Sequence, residues 1–287
     1  VLKSKKKIKR VHREKEMVRL GDGLYGDGMI SDEVLDRTKK VFKVYRKEMD
    51  RLKIDRTVAF ATSALRDAKN SETVRKEIEK SSGIQLEVLS GKEEAELIAE
   101  GILMDPEIQL EDFVIIDIGG GSTEVCVVAD RSCKAAFSFD LGVARVQQVF
   151  LKDVPPKVDP LVTSPQKVLE EHIEKEALPS LDVGAFKGLP LVVSSGTGRA
   201  YRKILKKARK PVDPFRLQDL EDLVRGFEIK DRRELLKVDG LEPKRVDLIL
   251  AGGIVLRKLS NLLKSDKIYI TRYALRDGIL SQELARL

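Results

Sequence analysis

The residues Asp117-Ile118-Gly119-Gly120-Gly121-Ser122-Thr123-Glu124 follow directly on the apolar run Val114-Ile115-Ile116. Glycines placed just after an apolar strand let backbone N–H groups come close to an anion, and the hydroxyls of Ser122 and Thr123 add donors for phosphate oxygens. The plainer alternative is a tight hairpin that needs positive φ angles, although three glycines between Asp117 and Ser-Thr-Glu exceed what such a turn requires. The loop has neither the lysine of a P-loop nor the spacing of a dinucleotide fingerprint. Asp117 and Glu124 stand at its two ends, so closing the hairpin brings both carboxylates toward the bound anion. Two negative charges beside phosphate are unfavourable without a cation. A hydrated Mg2+ ion, or another divalent cation, held by one or two carboxylates and by substrate oxygens resolves that conflict and offsets charge that develops in phosphoryl transfer. Otherwise both are surface carboxylates at strand ends.

The same theme returns downstream. Leu191-Val192-Val193 leads into Ser194-Ser195-Gly196-Thr197-Gly198, a second candidate phosphate loop through Ser195, Gly196 and Thr197, and residues 247–250 lead as a further strand into Ala251-Gly252-Gly253. Upstream, Ser90 and Glu93 have capping-box spacing, which claims Glu93 for a helix start and leaves Glu94 free. A glutamate facing a cleft can position and deprotonate a water attacking phosphorus; the competing role for Glu94 is stabilisation of the helix dipole. Arg66 closes Ala61-Thr62-Ser63-Ala64-Leu65-Arg66, where a guanidinium can pair with transferring phosphate oxygens or simply form a surface ion pair. His12 and His172 have no neighbouring ligand or nucleophile in sequence and receive no role.

The elements that must position these groups alternate. A helix over 31–52 opens at Ser31, and a short β-branched strand over 57–62 follows. A helix starts at Asn70-Ser71-Glu72 and closes at Ser81-Ser82-Gly83, a second strand covers 85–89, and a helix runs from Ser90 to the Asp105-Pro106 stop. Strand alternating with helix argues for an α/β sheet. Residues 114–118, 124–129 and 135–139 read as strands of a meander, with Asp130-Arg131-Ser132 as a turn. The change of character before Phe113 places a domain boundary there, with residues 1–108 in a first domain and 109–274 in a second. Pro155-Pro156 and the prolines at 211 and 214 mark loops.

With 287 residues, 42% of them hydrophobic, the chain can build a core in each domain. It contains no apolar run near the ~18 residues of a spanning helix, so a membrane role is not expected. Two cysteines do not suggest a disulfide framework or a metal site, and a reducing cytoplasm fits best. The net charge of +7 owes much to Lys3, Lys5, Lys6, Lys7, Lys9 and Arg10. Such a field permits a polyanionic partner, and it equally fits a solvated lysine-rich strand. With no Trp and only 5% aromatic residues, the stacking platforms of single-stranded nucleic-acid binders are absent, so no specific nucleic-acid partner is expected.

Taken in order, Ala61-Thr62-Ser63-Ala64-Leu65-Arg66, Ser90-Gly91-Lys92-Glu93-Glu94-Ala95, the 117–124 segment and Ser195-Gly196-Thr197 resemble the exopolyphosphatase and guanosine pentaphosphate phosphohydrolase family. Residues 248–253 and Ala274-Leu275-Arg276-Asp277-Gly278 extend the resemblance over nearly the whole chain. It implies two actin-like, ribonuclease H-like α/β domains flanking a cleft, with the last helix, 275–287, returning to the first domain. It also implies terminal phosphate removal from polyphosphate or from guanosine pentaphosphate, and a homodimer. By the same resemblance Glu94 corresponds to the catalytic glutamate, Asp117 and Glu124 to cation-linked carboxylates, Arg66 to a phosphate-side arginine, and Gly119, Gly120, Gly121, Gly196 and Thr197 to phosphate loops. Such a family usually begins with a strand and a further phosphate loop, whereas this chain opens in what looks like the following strand. The first strands of domain one are therefore expected to be missing, which would make the chain a poor catalyst or a polyphosphate-binding regulator. Glu96 stands where arginine is frequent, and residues 271–274 replace a pattern with Ser-Asp and glycine; both bear on substrate length.

Overall fold

The computed structural model describes residues 2–4, 7–9, 11–153, 163–181, 184–210 and 213–286. Lys5, Lys6, Arg10, Pro155-Pro156 and Pro211, singled out above, lie outside them. In chain order the elements begin with a hairpin of β1 (Leu2–Ser4) and β2 (Lys7–Lys9), then helices α1 (Leu24–Asp27) and α2 (Asp32–Arg51). Ser31 caps α2 by accepting from the Val34 N–H at 3.3 Å. Next come β3 (Phe60–Ala61), α3 (Ser63–Asp67), α4 (Ser71–Ser82), β4 (Glu87–Val88) and α5 (Gly91–Leu103). β3 and β4 pair in parallel over only two residues each, so the strands expected at 57–62 and 85–89 exist but are short. Leu24, Ile30, Val34, Leu65, Val74 and Ile78 form the apolar cluster beneath them.

The larger sheet contains β5 (Phe113–Ile118), β6 (Thr123–Ala129), β7 (Ser132–Phe139), β8 (Leu191–Val193), β9 (Phe215–Arg216) and β10 (Lys267–Ile270), in the order β7-β6-β5-β8-β10-β9. The expected meander is present, its tight turn made by Asp130 and Arg131 at positive φ. Helices α6 (Val143–Phe150) and α7 (Pro165–Leu181) then carry the chain across to β8, on the other side of β5 and parallel to it. The remaining helices are α8 (Gly196–Lys207), α9 (Leu217–Glu228), α10 (Arg232–Leu235), α11 (Ile249–Leu262) and α12 (Leu275–Ala285). No helix among the described residues is long and apolar enough to cross a membrane.

Two-residue alternation along β5 sorts its side chains between two layers. Val114, Ile116 and Ile118 face the cluster shared with α7, α8, α9 and α11, while Phe113 and Ile115 face Ala95, Ile98, Ala99 and Ile102 of α5. α12 packs on α5 in turn. Their crossing is close because glycines meet: a Cβ on Gly278 would lie 1.8 Å from the Leu97 carbonyl oxygen, and one on Gly101 would lie 2.4 Å from that of Ala274.

One expected element is corrected. Residues 247–253 do not form a strand and a glycine loop; Ala251, Gly252 and Gly253 are buried inside α11. Their glycines serve packing, since a Cβ on Gly252 would meet Thr197 Oγ1 at 2.6 Å and one on Gly253 would meet the Tyr201 hydroxyl at 1.9 Å. A continuous apolar run with paired glycines reads alike for a buried helix and a buried strand when judged from its period alone.

Candidate active site

In an open α/β sheet the place outside the carboxyl ends of neighbouring strands, where connections leave in opposite directions, is open to a ligand. β5 is that strand: from it the chain first builds β6 and β7 on one side and later returns as β8 on the other. The 119–121 loop leaves its carboxyl end, and Ser194-Ser195-Gly196-Thr197 leaves that of the parallel β8. Both glycine loops therefore lie side by side, which their distance in sequence did not reveal.

The alternation that sends Phe113 and Ile115 toward α5 sends Asp117 to that same face, and on β6 it places Glu124 in series with Cys126 and Val128. Asp117 and Glu124 are direct cross-strand partners. The α5 N-terminus reaches this face because Gly91 lacks a side chain, a Cβ there falling 2.5 Å from that of Ser138 on β7. Ser90 accepts from the Glu93 N–H and the Glu93 carboxylate accepts from the Ser90 N–H at 2.8 Å, so the capping box is formed. Glu94 is left pointing into the site, 7% exposed, with Arg66 Nη1 3.1 Å from its Oε2. The same guanidinium nitrogen donates to the Leu89 carbonyl at 2.9 Å, which ties α3 to the strand end before α5.

Three carboxylates thus meet. Burial pushes the Glu94 carboxyl up, with Arg66 pulling it down and Asp117 and Asp67 adding to the rise. Burial also raises Asp117, opposed by the Ser194 hydroxyl and by Arg199. Glu124, 1% exposed, is pushed up to about 8 by burial and by the charge of Glu94, against hydrogen bonding from Ser122 and Ser138. Ser138 Oγ lies 2.9 Å from Glu124 Oε1. A divalent cation fits this donor set. Carboxylates crowded in a buried place lose their mutual repulsion when a cation sits among them, and oxygen-only donors suit Mg2+. No group of three or more His, Cys, Asp or Glu among the described residues forms a ready metal cage. An ion held here by Asp117 and Glu124 would complete its shell with water and substrate oxygens, as Mg2+ commonly does.

The glycine loop offers donors. Its carbonyls are taken: Val143 N–H donates to Gly119, Ala144 N–H to Gly120, and Arg145 Nε to Gly121 at 2.7 Å. Gly119 N–H donates to the Ser122 carbonyl, while the N–H groups of Gly120 and Gly121 have no protein acceptor among the described residues. The second loop begins a helix of twelve residues, with Ser195 Oγ accepting from Gly198 N–H at 3.0 Å and the first-turn amides of Gly196 and Thr197 ahead of it. One threonine hydroxyl is committed elsewhere. Thr123 is wholly buried and donates to the Leu141 carbonyl at 2.8 Å, and the Thr197 side chain packs against Gly252. Ser122, also buried, serves Glu124.

Sequence reasoning missed Ser138, Ser194, Arg199, Asp67 and Arg145. Ser138 lies two residues beyond Ala136 on the α5 face of β7, and Arg199 lies in the first turn after a glycine loop, so alternation and capping could have found both. Nothing in the spacing around Asp67 or Arg145 marks them.

The raised Glu124 carboxyl has a measurable consequence for stability. Its folded value near 8 lies above the unfolded value of about 4.3. The folded state therefore holds this proton more tightly, so the contribution is fully present below the unfolded value and is lost as pH rises through about 8. In chelator-treated protein the thermal midpoint is expected to fall between pH 5 and pH 8, by roughly 2–4 °C per kcal/mol lost, and Glu124→Gln should flatten that slope. An equal slope in the variant would mean that another group titrates.

A sequence model of the Ppx/GppA phosphatase family matches residues 1–287. The bifunctional 3-dehydroquinate synthase/phosphatase of Fusobacterium nucleatum is 26% identical over 274 residues, covering 92% of this chain but only 40% of that protein. Exopolyphosphatase 2 of Mycobacterium tuberculosis is 27% identical over 282 residues, 94% of this chain and 88% of that one. In structure the chain is similar to an exopolyphosphatase from Cytophaga hutchinsonii, with a TM-score of 0.85 at 24% identity, over 96% of this chain and 90% of the other.

Proposed function

The chain belongs to the Ppx/GppA phosphatase family, and from that premise we propose that it removes the terminal phosphate of inorganic polyphosphate by attack of water. The observation that carries this reading is the meeting of Glu94, Asp117 and Glu124 with two glycine loops, one of which presents N–H groups without protein acceptors among the described residues. Loop amides at Gly120, Gly121, Gly196 and Thr197 hold and orient the phosphates. Arg66 pairs with oxygens of the phosphoryl group in transfer, and its contact with Glu94 fixes where the base stands. Glu94 takes the proton of the attacking water. Asp117 and Glu124 would hold Mg2+, which when bound would offset charge on the transferring and leaving oxygens. We place the cleft between a unit of residues 1–108, joined by 275–287, and a unit of residues 109–274. Both cysteines are free thiols, which fits a reducing cytoplasm.

Guanosine pentaphosphate is the second substrate reading, since its end phosphoryl group sits on a similar anhydride and the family's name joins both activities. Phosphate release measured with magnesium on polyphosphate of defined length and on guanosine pentaphosphate tests the proposal. Faster release from polyphosphate supports it, faster release from the nucleotide turns it to the second reading, and binding without release makes the protein a regulator. Asp117→Asn is expected to raise the half-saturating magnesium concentration about tenfold or more, because even indirect changes around a metal cost that much. Identical magnesium titrations would remove Asp117 from the cation site.

A further inference from the structure

Arg145 occupies a junction that the proposed chemistry does not use. It lies on α6 and is the one residue there whose side chain reaches both the glycine loop and the helix that carries Arg66. Its Nε donates to the Gly121 carbonyl at 2.7 Å, and its Nη2 pairs with the Asp67 carboxylate on α3. Asp140 lies 3.1 Å from the same nitrogen, and the guanidinium carbon sits 4.4 Å from the centre of the Tyr25 ring. Asp67 is fixed in turn by Ser63 Oγ at 2.7 Å. Gly121 has no room for movement toward α3, since a Cβ on it would lie 1.9 Å from the Tyr25 hydroxyl and 2.2 Å from Ser63 Oγ.

We propose that Arg145 is a positioning residue that latches the 119–121 phosphate loop to α3, so that the loop amides and the Arg66 guanidinium address the same phosphoryl group. Asp67 is the immediate neighbour of Arg66 on a helix of five residues, so a pull on one moves the other. The Gly121 carbonyl belongs to the peptide that follows Gly121 Cα; holding it fixes the turn that contains the Gly120 and Gly121 N–H groups, which have no protein acceptor among the described residues. A planar guanidinium can serve carbonyl and carboxylate at once from separate nitrogens, and an ammonium at the end of a lysine cannot reproduce that fork. Gln148, one turn further along α6, donates from Nε2 to the Gly21 carbonyl at 3.0 Å, which ties α6 to the segment before α1.

The inference rests on the phosphatase reading, and the test separates the two. Inorganic tripolyphosphate is used as substrate with magnesium, and kcat, KM and the thermal midpoint are measured for the wild type, Arg145→Lys, Arg145→Gln, Asp67→Asn and the Arg145→Gln/Asp67→Asn pair. Arg145→Gln is expected to lower kcat/KM by about tenfold or more, as small misplacements of reacting groups do. The double variant should be no worse than Arg145→Gln, because both substitutions break one contact. Arg145→Lys should recover most of the thermal midpoint through its charge while its KM stays raised. Should Arg145→Gln fail to fold, the lysine variant and Asp67→Asn carry the same comparison. A lysine variant with wild-type KM, or losses that add in the double variant, would overturn the latch while leaving the phosphatase reading intact. A wild-type protein that neither binds nor hydrolyses tripolyphosphate would overturn the reading and the latch together.

Discussion

Replacing Glu94 by glutamine is expected to lower turnover by about 100-fold or more while tripolyphosphate binding and the fold remain, because a general base is lost and its shape is kept. The geometry makes this a sharp test. Glu94 follows Glu93 on α5, yet the two carboxylates have different partners: Glu93 receives the Ser90 N–H at 2.8 Å, and Glu94, buried, faces Arg66. Glu93→Gln should therefore leave turnover near the wild-type value and remove roughly 0.5–1 kcal/mol from the helix start. Burial and the nearby carboxylates raise Glu94, so the unliganded protein holds it protonated to higher pH than an ordinary glutamate. A cation among those carboxylates would return it to the base form. Phosphate release unchanged in Glu94→Gln would strip Glu94 of its role, and a large kinetic defect confined to Glu93→Gln would mean the pair acts the other way round.

Gly278→Ala is expected to lower stability by about 2–3 kcal/mol or more through overpacking, and to reduce activity along with it. The added Cβ would stand 1.8 Å from the Leu97 carbonyl oxygen and 3.2 Å from the Gly101 nitrogen, both backbone atoms of α5. No rotamer change relieves such a contact, so α12 must move off α5. Since α5 carries Glu94, its displacement reaches the reacting centre. The control is Gly226→Ala in α9, where a Cβ meets nothing within 4 Å; it should be neutral or gain up to ~1 kcal/mol from helix propensity. Thermal unfolding and phosphate release on both variants decide the matter, and a Gly278→Ala protein as stable as wild type would refute this view of the crossing.

Much of this was legible in the sequence where the signal was local. Ser90 and Glu93 announced their capping box, and Asp117 and Glu124 lie at the ends of one glycine loop, so a hairpin had to bring them together. The strand and helix alternation gave the α/β class. What could not be read was which long-range neighbours these groups would meet. Asp67 and Arg145 are bound across 78 residues of chain, and no pattern of types or spacing foretells that contact. Residues 247–253 failed for a different reason. An apolar run with two glycines satisfies a buried strand and a buried helix equally, and only the partners Thr197 and Tyr201, which need the absent side chains, distinguish them. The Thr123 hydroxyl reads by type as a phosphate donor, whereas it is buried and donates to the Leu141 carbonyl.

The two ends of the β5–β6 hairpin are close along the chain, and that carries a consequence for the order in which the site is acquired. Ser138 reaches Glu124 across only 14 residues, whereas Arg66 meets Glu94 across 28 and Arg145 meets Asp67 across 78. Short-range contacts close early and cheaply, while distant ones wait for the chain entropy to be overcome. By that ordering the meander with Glu124 and Ser138 closes first, the Arg66–Glu94 pair next, and the Arg145–Asp67 contact last. In refolding, the turn that carries the Gly120 and Gly121 amides is then formed before the contact that ties it to α3.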